Sequence, residues 1–371
     1  MEKHLIAVNW NLFFIFTGIG LSPFSFNKRH GHIRESIWKN LWSALVLSVV
    51  LFNYCCQNSL NSIHPKRHGL VITFSEWTMT VMSMIFLACS VIQAVIKRKI
   101  QIECIESINE IDFIMQNRFA CPIAENLVNK STMKRFIWLI AIWLSKHILG
   151  LICSNKKMLR LYMLFYLAPI VFLSIARLLM QTFFIDSICF RLKVINAELS
   201  LYNDENISGT SKRNFQETVI HVQAIYAKIW KAFCKVNLMF GWSSITLVLK
   251  LFVYLIVISF WCITGPKKIE LTVWEQIESG LEILFNISTK SFLCHSASTC
   301  RMEANKTSEI LLKPLECGLN DENVRDFVAQ MNHQPFITSA NGFFDIDYSL
   351  LGSVLAATAT YIVIMLQLEQ S

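Results

Sequence analysis

Charge is scarce in this chain. Only 16% of its residues are Asp, Glu, Lys or Arg, against about a quarter in an ordinary soluble domain. With 54% hydrophobic residues and a mean hydropathy of +0.45, it could not cover a water-facing surface, so its solvent has to be lipid. Glycine and proline are also few, 12 and 7 in 371 residues, which suits long helices. No Gly/Ser linker, low-complexity tract or internal repeat divides the chain, and residues 1–371 read as a single integral membrane domain. No H-E-x-x-H, G-x-S-x-G or phosphate-binding glycine loop is present, so neither an enzyme nor a cofactor is expected. The paired halves with broken helices typical of many transporters are lacking too. Twelve cysteines occur without a C-x-x-C pair or a Cys/His set at zinc spacing. Cys55, Cys89, Cys153, Cys189, Cys262 and Cys294 fall in or at the ends of apolar runs, where cysteine packs as a small hydrophobe.

What is present is a series of apolar runs, each near the length of about 20 residues that a bilayer core demands. They lie at about 41–57, 70–96, 136–153, 159–184, 238–263, 273–293 and 348–368. The expected fold class is therefore an all-α membrane protein with seven transmembrane helices. The sixth run is the weakest, because Glu275, Glu278, Glu282 and Lys290 interrupt it. Residues 5–24 are apolar as well, but Asn9, Asn11, Gly18, Gly20 and Pro23 break the stretch. No small-residue cleavage site follows it, and Lys28 and Arg29 sit on the wrong side for a signal peptide. The segment is read as re-entrant or interfacial, within a cytoplasmic N-terminus of residues 1–40.

Lys and Arg favour the cytoplasmic side during insertion. Assigned to alternating sides of the seven runs, 23 of the 34 basic residues fall with the N-terminus and loops two, four and six, and 7 fall opposite. Lys146, Arg177, Lys250 and Lys290 lie within runs. The N-terminus is thus expected inside and the C-terminus outside, the reverse of a G-protein-coupled receptor. No Asp-Arg-Tyr-type triplet or Asn-Pro-x-x-Tyr pattern argues the other way. The net charge of +8 reflects this topology and contact with anionic inner-leaflet lipid; a nucleic-acid partner is not implied.

The last run has a distinctive face. Ser353, Ala357, Thr360, Ile364 and Gln367 are spaced by four, three, four and three, so they share one side of a helix. Small and hydroxyl side chains in a row suit a close helix–helix contact or the lining of a polar path, and the pattern alone leaves both open. The run opens after Gly342-Phe343-Phe344-Asp345-Ile346-Asp347 and closes on Thr360-Tyr361, five hydrophobic residues, then Gln367-Leu368. This ending resembles the C-terminal signature of insect gustatory receptors, Thr-Tyr, five hydrophobic residues and Gln-Phe, with Leu368 in place of Phe. Gly20-Leu21-Ser22-Pro23-Phe24 resembles the segment before the first span in that family.

The resemblance implies a tetramer, of this chain alone or with other gustatory receptors, gated by a small organic tastant or pheromone. In such channels the seventh helix of each subunit lines a central cation pore, so the implied pore and gate positions are Ser353, Thr360, Ile364, Gln367 and Leu368. A leucine ring would gate by dewetting, and Glu369 just beyond it would concentrate cations. Sugar-sensing relatives usually carry Glu directly after Thr-Tyr; Ile362 stands there, which favours bitter compounds or contact pheromones. The resemblance also places a ligand pocket among spans two to six, and a cytoplasmic anchor in loops 97–135, 185–235 and 294–347. Ionisable residues within spans tend to be functional or paired, which singles out Glu76, Lys146, His147, Lys250, Glu278 and Glu282. Trp77, Tyr162, Tyr166 and Tyr254 offer aromatic walls with polar tips. Structural ion pairs and interface aromatics are the other reading of these residues. The plasma membrane of sensory neurons is the implied location. A G-protein-coupled receptor or a transporter is the alternative function.

Four N-x-S/T sequons test the orientation. Those at Asn129, Asn206 and Asn305 lie in expected cytoplasmic loops, and Asn286 lies within a span. Expressed in insect cells, the protein should show no mobility shift on enzymatic deglycosylation, whereas a sequon engineered after Leu368 should acquire glycan. Glycan on the three native loop sites would reverse the topology.

Overall fold

The structure is a computed structural model that describes residues 10–22, 24–27, 32–63, 70–119, 125–153, 157–201, 209–268, 273–316 and 322–370. Among these, ten helices follow in order: α1 (Trp10–Gly18), α2 (Ile37–Ile63), α3 (Leu70–Ile96), α4 (Arg98–Phe119), α5 (Glu125–Cys153), α6 (Lys157–Ser200), α7 (Gly209–Lys268), α8 (Val273–Glu316), α9 (Glu322–His333) and α10 (Tyr348–Gln370). Between α1 and α2, β1 (Phe24–Asn27) pairs antiparallel with β2 (His32–Glu35), a small ribbon in a protein expected to be helical throughout. Five helices are long and apolar enough to cross a membrane: α3, α5, α6, α7 and α10. Expected spans 41–57 and 273–293 fall in α2 and in the first half of α8. The latter carries Glu278, Glu282 and Lys290 among its apolar residues.

Length explains the rest of the architecture. At about 1.5 Å per residue, the 60 residues of α7 make a rod of about 90 Å, some three times a bilayer core of about 30 Å. Helices α6 and α8, of 44 residues each, also outrun the membrane. The expected loops 97–135, 185–235 and 294–347 are largely these helical continuations, joined by α4 and α9.

Helix α6 is the axis of the bundle. Its candidate span is 72% buried, and Ile175, Ala176, Leu178, Leu179, Met180, Phe183, Phe184 and Ile185 are buried on every side of it, as befits a helix apolar all round. Residues of the expected re-entrant segment join this core: Leu12, Phe13, Phe16 and Leu21 are buried, and Phe13 meets Phe183 edge-on at 5.8 Å between ring centroids. Ser43 Oγ donates to Gly20 O at 2.7 Å, and Trp42 Nε1 donates to Gly18 O at 2.9 Å, tying α1 to α2. The left-handed backbone of Gly20 (φ 82°) lets Ser43 approach where a Cβ would meet its Cα at 3.1 Å.

Polar side chains decide which helices touch α6. Helix α4 buries Gln101, Cys104, Ile105, Ile108, Ile111, Asp112 and Met115, a stripe at helical spacing, and exposes Glu103, Glu106 and Glu110. From that stripe the Asp112 carboxylate takes a two-pronged contact from Arg191 of α6, with Nε to Oδ1 at 2.7 Å and Nη2 on Oδ2. Arg191 also donates to Ser187 O at 2.6 Å. Beside it, burial pushes the Cys104 thiol up to about 12, so this cysteine stays protonated and inert. Lower on α6, Asn196 Nδ2 donates to Glu303 O at 2.9 Å, and Thr307 Oγ1 donates to Asn196 Oδ1 at 2.6 Å, joining α8. Arg135 of α5 reaches Asp186 Oδ2 at 2.6 Å and Ser296 Oγ at 2.9 Å, tying α5, α6 and α8 together.

The Arg191–Asp112 side chains are 2% and 5% exposed, so removing one partner strands a buried charge. Asp112→Ala should destabilise the purified chain by about 3–5 kcal/mol, read as a large fall in its melting temperature in detergent. The paired change Arg191→Met with Asp112→Leu should recover most of that loss, because it removes both charges together.

Candidate functional site

Five helices surround a cavity of about 280 Å³, just below the range of about 300–1,000 Å³ common for ligand pockets. Met79, Thr80, Ser83 and Met84 come from α3; Trp143, Lys146 and His147 from α5; Ile170, Val171 and Ser174 from α6. Lys250, Tyr254 and Ile258 come from α7, and Glu282, Phe285 and Asn286 from α8. Each contribution recurs at three or four residues, so each helix turns one narrow stripe inward.

The polar groups of the wall form a connected chain. Lys146 Nζ donates to Glu282 Oε2 at 2.5 Å. The other carboxylate oxygen accepts from Asn286 Nδ2 at 3.1 Å, one turn along the same helix. Asn286 Oδ1 then accepts from Lys290 Nζ at 3.1 Å. Across the cavity Ser83 and Tyr254 join their hydroxyls at 3.1 Å. Lys250 Nζ lies 5.3 Å from the Tyr254 ring centroid and 5.4 Å from that of Phe86, within cation–π range. His147 packs edge-on against Trp143 at 4.7 Å.

Of the ligand residues expected from the sequence, the structure brings His147, Lys250, Tyr254 and Glu282 to this one cavity, with Lys146 beside them. Trp77 is half exposed and lies outside the lining, as does Glu278. The side chains of Glu76, Tyr162 and Tyr166 lie outside the described residues. Sequence reasoning missed Ser83, Trp143, Phe285 and Asn286. The last of these carries a usable signal: Asn286 stands one turn after Glu282, where an amide in an apolar helix needs a partner.

Helix α10 forms the second feature. It packs on α7 and α8 through Leu350, Leu351 and Val354, with Tyr361 edge-on to Phe252 at 5.5 Å. Only 11% of its span is buried within the chain. Ser353, Thr360, Ile364 and Gln367 are exposed and Ala357 is half-buried, so the small polar face lies beside the buried one. The side chains of Leu368 and Glu369 are outside the described residues.

The segment before α10 is tightly folded. Ala340 N donates to Phe344 O at 3.0 Å and Ile346 N donates to Thr338 O at 2.7 Å, turning the chain back on itself. Asn341 (φ 51°) and Gly342 (φ 80°) make the turn in the left-handed region. Asn237 of α7 clamps the turn, donating to Ile337 O at 2.9 Å and accepting from Ser339 N at 3.3 Å. Gly241, one turn further on, leaves room for Asn341, whose Oδ1 would sit 1.9 Å from any Cβ there. Asp347 then accepts from Leu350 N at 3.0 Å, capping the start of α10.

One carboxylate holds Lys146 and, through Asn286, Lys290, so the two ends of the pair are not equivalent. Glu282→Gln should destabilise the protein more than Lys146→Gln, by about 3 kcal/mol for the former. Melting of the two detergent-purified variants checks this; equal losses would remove Glu282 as the centre of the network.

Residues 12–371 match the family model of the 7tm chemosensory receptors. Gustatory receptor 23a of Drosophila melanogaster is 27% identical over 148 residues, covering 38% of this chain and 39% of that protein. The gustatory and pheromone receptor 32a of the same fly is 33% identical over 89 residues, covering 24% and 19%. The chain therefore spans well under half the length of these two relatives. Putative gustatory receptor 2a of D. melanogaster is 21% identical over 320 residues, covering 76% and 75%. Among solved structures, the insect olfactory receptor OR5 from Machilis hrabei superposes with a TM-score of 0.69 at 12% identity, covering 99% of this chain and 100% of that one. The structure of that receptor in complex with eugenol gives 0.62 at 12% identity, covering 98% and 99%. At that identity the likeness is one of fold.

Proposed function

The chain belongs to the 7tm chemosensory receptor family, and on that premise we propose that it is a gustatory receptor acting as a ligand-gated, non-selective cation channel. The observation that carries the reading is the pairing of a five-helix cavity with a terminal helix left largely bare by its own chain. A cavity walled by aromatic and aliphatic groups with a few convergent polar ones suits a small organic ligand. The fold neighbour from M. hrabei, solved in complex with eugenol, supports such a ligand here. Bitter compounds or contact pheromones are favoured over sugars, since Ile362 follows the Thr360-Tyr361 pair and a single carboxylate lines the described cavity.

In this reading α2 and the first half of α8 complete seven spans, with the N-terminus cytoplasmic and the C-terminus outside, in the plasma membrane of sensory neurons. Four chains, identical or mixed with other gustatory receptors, gather their α10 helices around an axis. Ser353, Thr360, Ile364 and Gln367 then face the ion path, with Leu368 closing it. The helical extensions below the membrane, where α4, α6, α7, α8 and α9 pack, serve as the anchor between subunits. Ligand held by Trp143, Lys146, His147, Lys250, Tyr254 and Glu282 shifts the closed-to-open equilibrium only as far as it binds the two states differently.

Whole-cell recording from insect cells expressing the chain, with and without candidate co-receptors, tests the channel. Gln367→Ala should change unitary conductance or cation selectivity by about twofold or more while leaving surface expression intact. Unchanged permeation would take this face of α10 out of the pore.

A further inference from the structure

The cavity lining is electrically lopsided. Among the described residues Lys146 and Lys250 line it and Glu282 is its sole carboxylate. Both oxygens of Glu282 are already engaged: Lys146 donates to one, and Asn286 donates to the other. Lys290, 94% buried one turn further along α8, joins this network by its hydrogen bond to the Asn286 amide oxygen. Lys250 lies within electrostatic reach of Glu282 but makes no hydrogen bond to it. Its Nζ sits over Tyr254 and Phe86, and among the described residues no oxygen or nitrogen acceptor meets it. An ammonium inside the apolar part of a membrane bundle normally has an anion or a carbonyl as partner, and its three N–H donors are directional. Glu278, one turn before Glu282 on α8, lies outside the lining.

We infer that the cavity reads the acidic group of its ligand: the ligand class is a small organic acid, whose carboxylate binds Lys250 while its apolar body lies against Trp143, Tyr254 and Phe285. The inference rests on the cavity being the ligand site. Size agrees with it. About 280 Å³ accommodates a monocyclic aromatic or short aliphatic acid, and excludes a large alkaloid unless the walls move. The charge arithmetic agrees as well, because one bound carboxylate offsets the single positive charge by which Lys146 and Lys250 exceed Glu282.

The test uses the full chain in lipid nanodiscs and a matched pair of probes, 3-phenylpropanoate and 3-phenylpropan-1-ol, with affinities read from ligand-dependent melting. The acid should bind at least tenfold more tightly than the alcohol at pH 7.4. Lys250→Gln should erase that preference, and Lys250→Arg should retain it. Trp143→Ala should weaken both probes. Equal affinities for the two probes, or a preference that survives Lys250→Gln, would overturn the acid inference, and the cavity would remain a ligand site if Trp143→Ala still weakened binding. Binding of neither probe to the unmodified chain, or indifference of both to Trp143→Ala, would overturn the cavity reading and the inference with it.

Discussion

A guanidinium that cannot reach water must be solvated by its own protein, and α6 carries two such groups. Arg177 is met from three directions: Ser243 Oγ at 3.1 Å, Met239 O at 2.7 Å and Gln93 Oε1 at 3.2 Å, with the Phe240 ring 4.3 Å from its carbon. Arg191 is met by Asp112 and by its own helix. These demands fix which helices lie beside α6. Gln93 brings α3, Ser243 and Met239 bring α7, and Asp112 brings α4. Dispersion and burial would hold many arrangements of apolar rods about equally well. The directional requirements of a few buried donors choose one among them.

Much of the plan was legible in the sequence because its governing signal is a strong one. Run length marks spans, and α3, α5, α6, α7 and α10 stand where the runs at 70–96, 136–153, 159–184, 238–263 and 348–368 put them. The ribbon of β1 and β2 was not read, because four-residue strands carry too little periodicity against the apolar stretch that precedes them. Of the cavity, the ionisable members and Tyr254 were legible, and the remaining neutral ones were not. Lys146, Lys250 and Glu282 advertise themselves by being costly in lipid. Ser83 and Trp143 are indistinguishable by type from dozens of packing residues. What gathers them is the mutual rotation of five helices, a tertiary fact. Asn237, Gly241 and Asn341 were invisible for the same reason: a clamp made by residues about 100 apart in sequence has no local pattern.

The two features of the site meet on one element. Helix α7 supplies Lys250 and Tyr254 to the cavity, Leu251 and Phe252 to the packing under α10, and Asn237 and Gly241 to the turn that precedes α10. Residues on α7 and α8 that face the cavity are therefore within a turn of residues that touch α10. A change in the side-chain arrangement around Glu282 need travel only through Asn286 and Lys290 to reach Leu350 and Val354, which share a small apolar gap with Lys290. The physical connection is short, contiguous and built from packed side chains.

The bareness of α10 above its capped base has a mechanical side. A rod held at its root and packed along one side only bends like a cantilever, and its deflection grows with distance from the root. The cap at Asp347, the turn held by Asn237 and the contact of His295 Nδ1 with the Tyr348 hydroxyl at 3.0 Å all sit at the root. From Tyr348 to Gln367 the helix rises about 28 Å at about 1.5 Å per residue, so a lean of about 5° at the root carries Gln367 about 2.5 Å sideways. A lever of this shape turns a motion smaller than a bond length near the turn into one wider than a water radius at the tip.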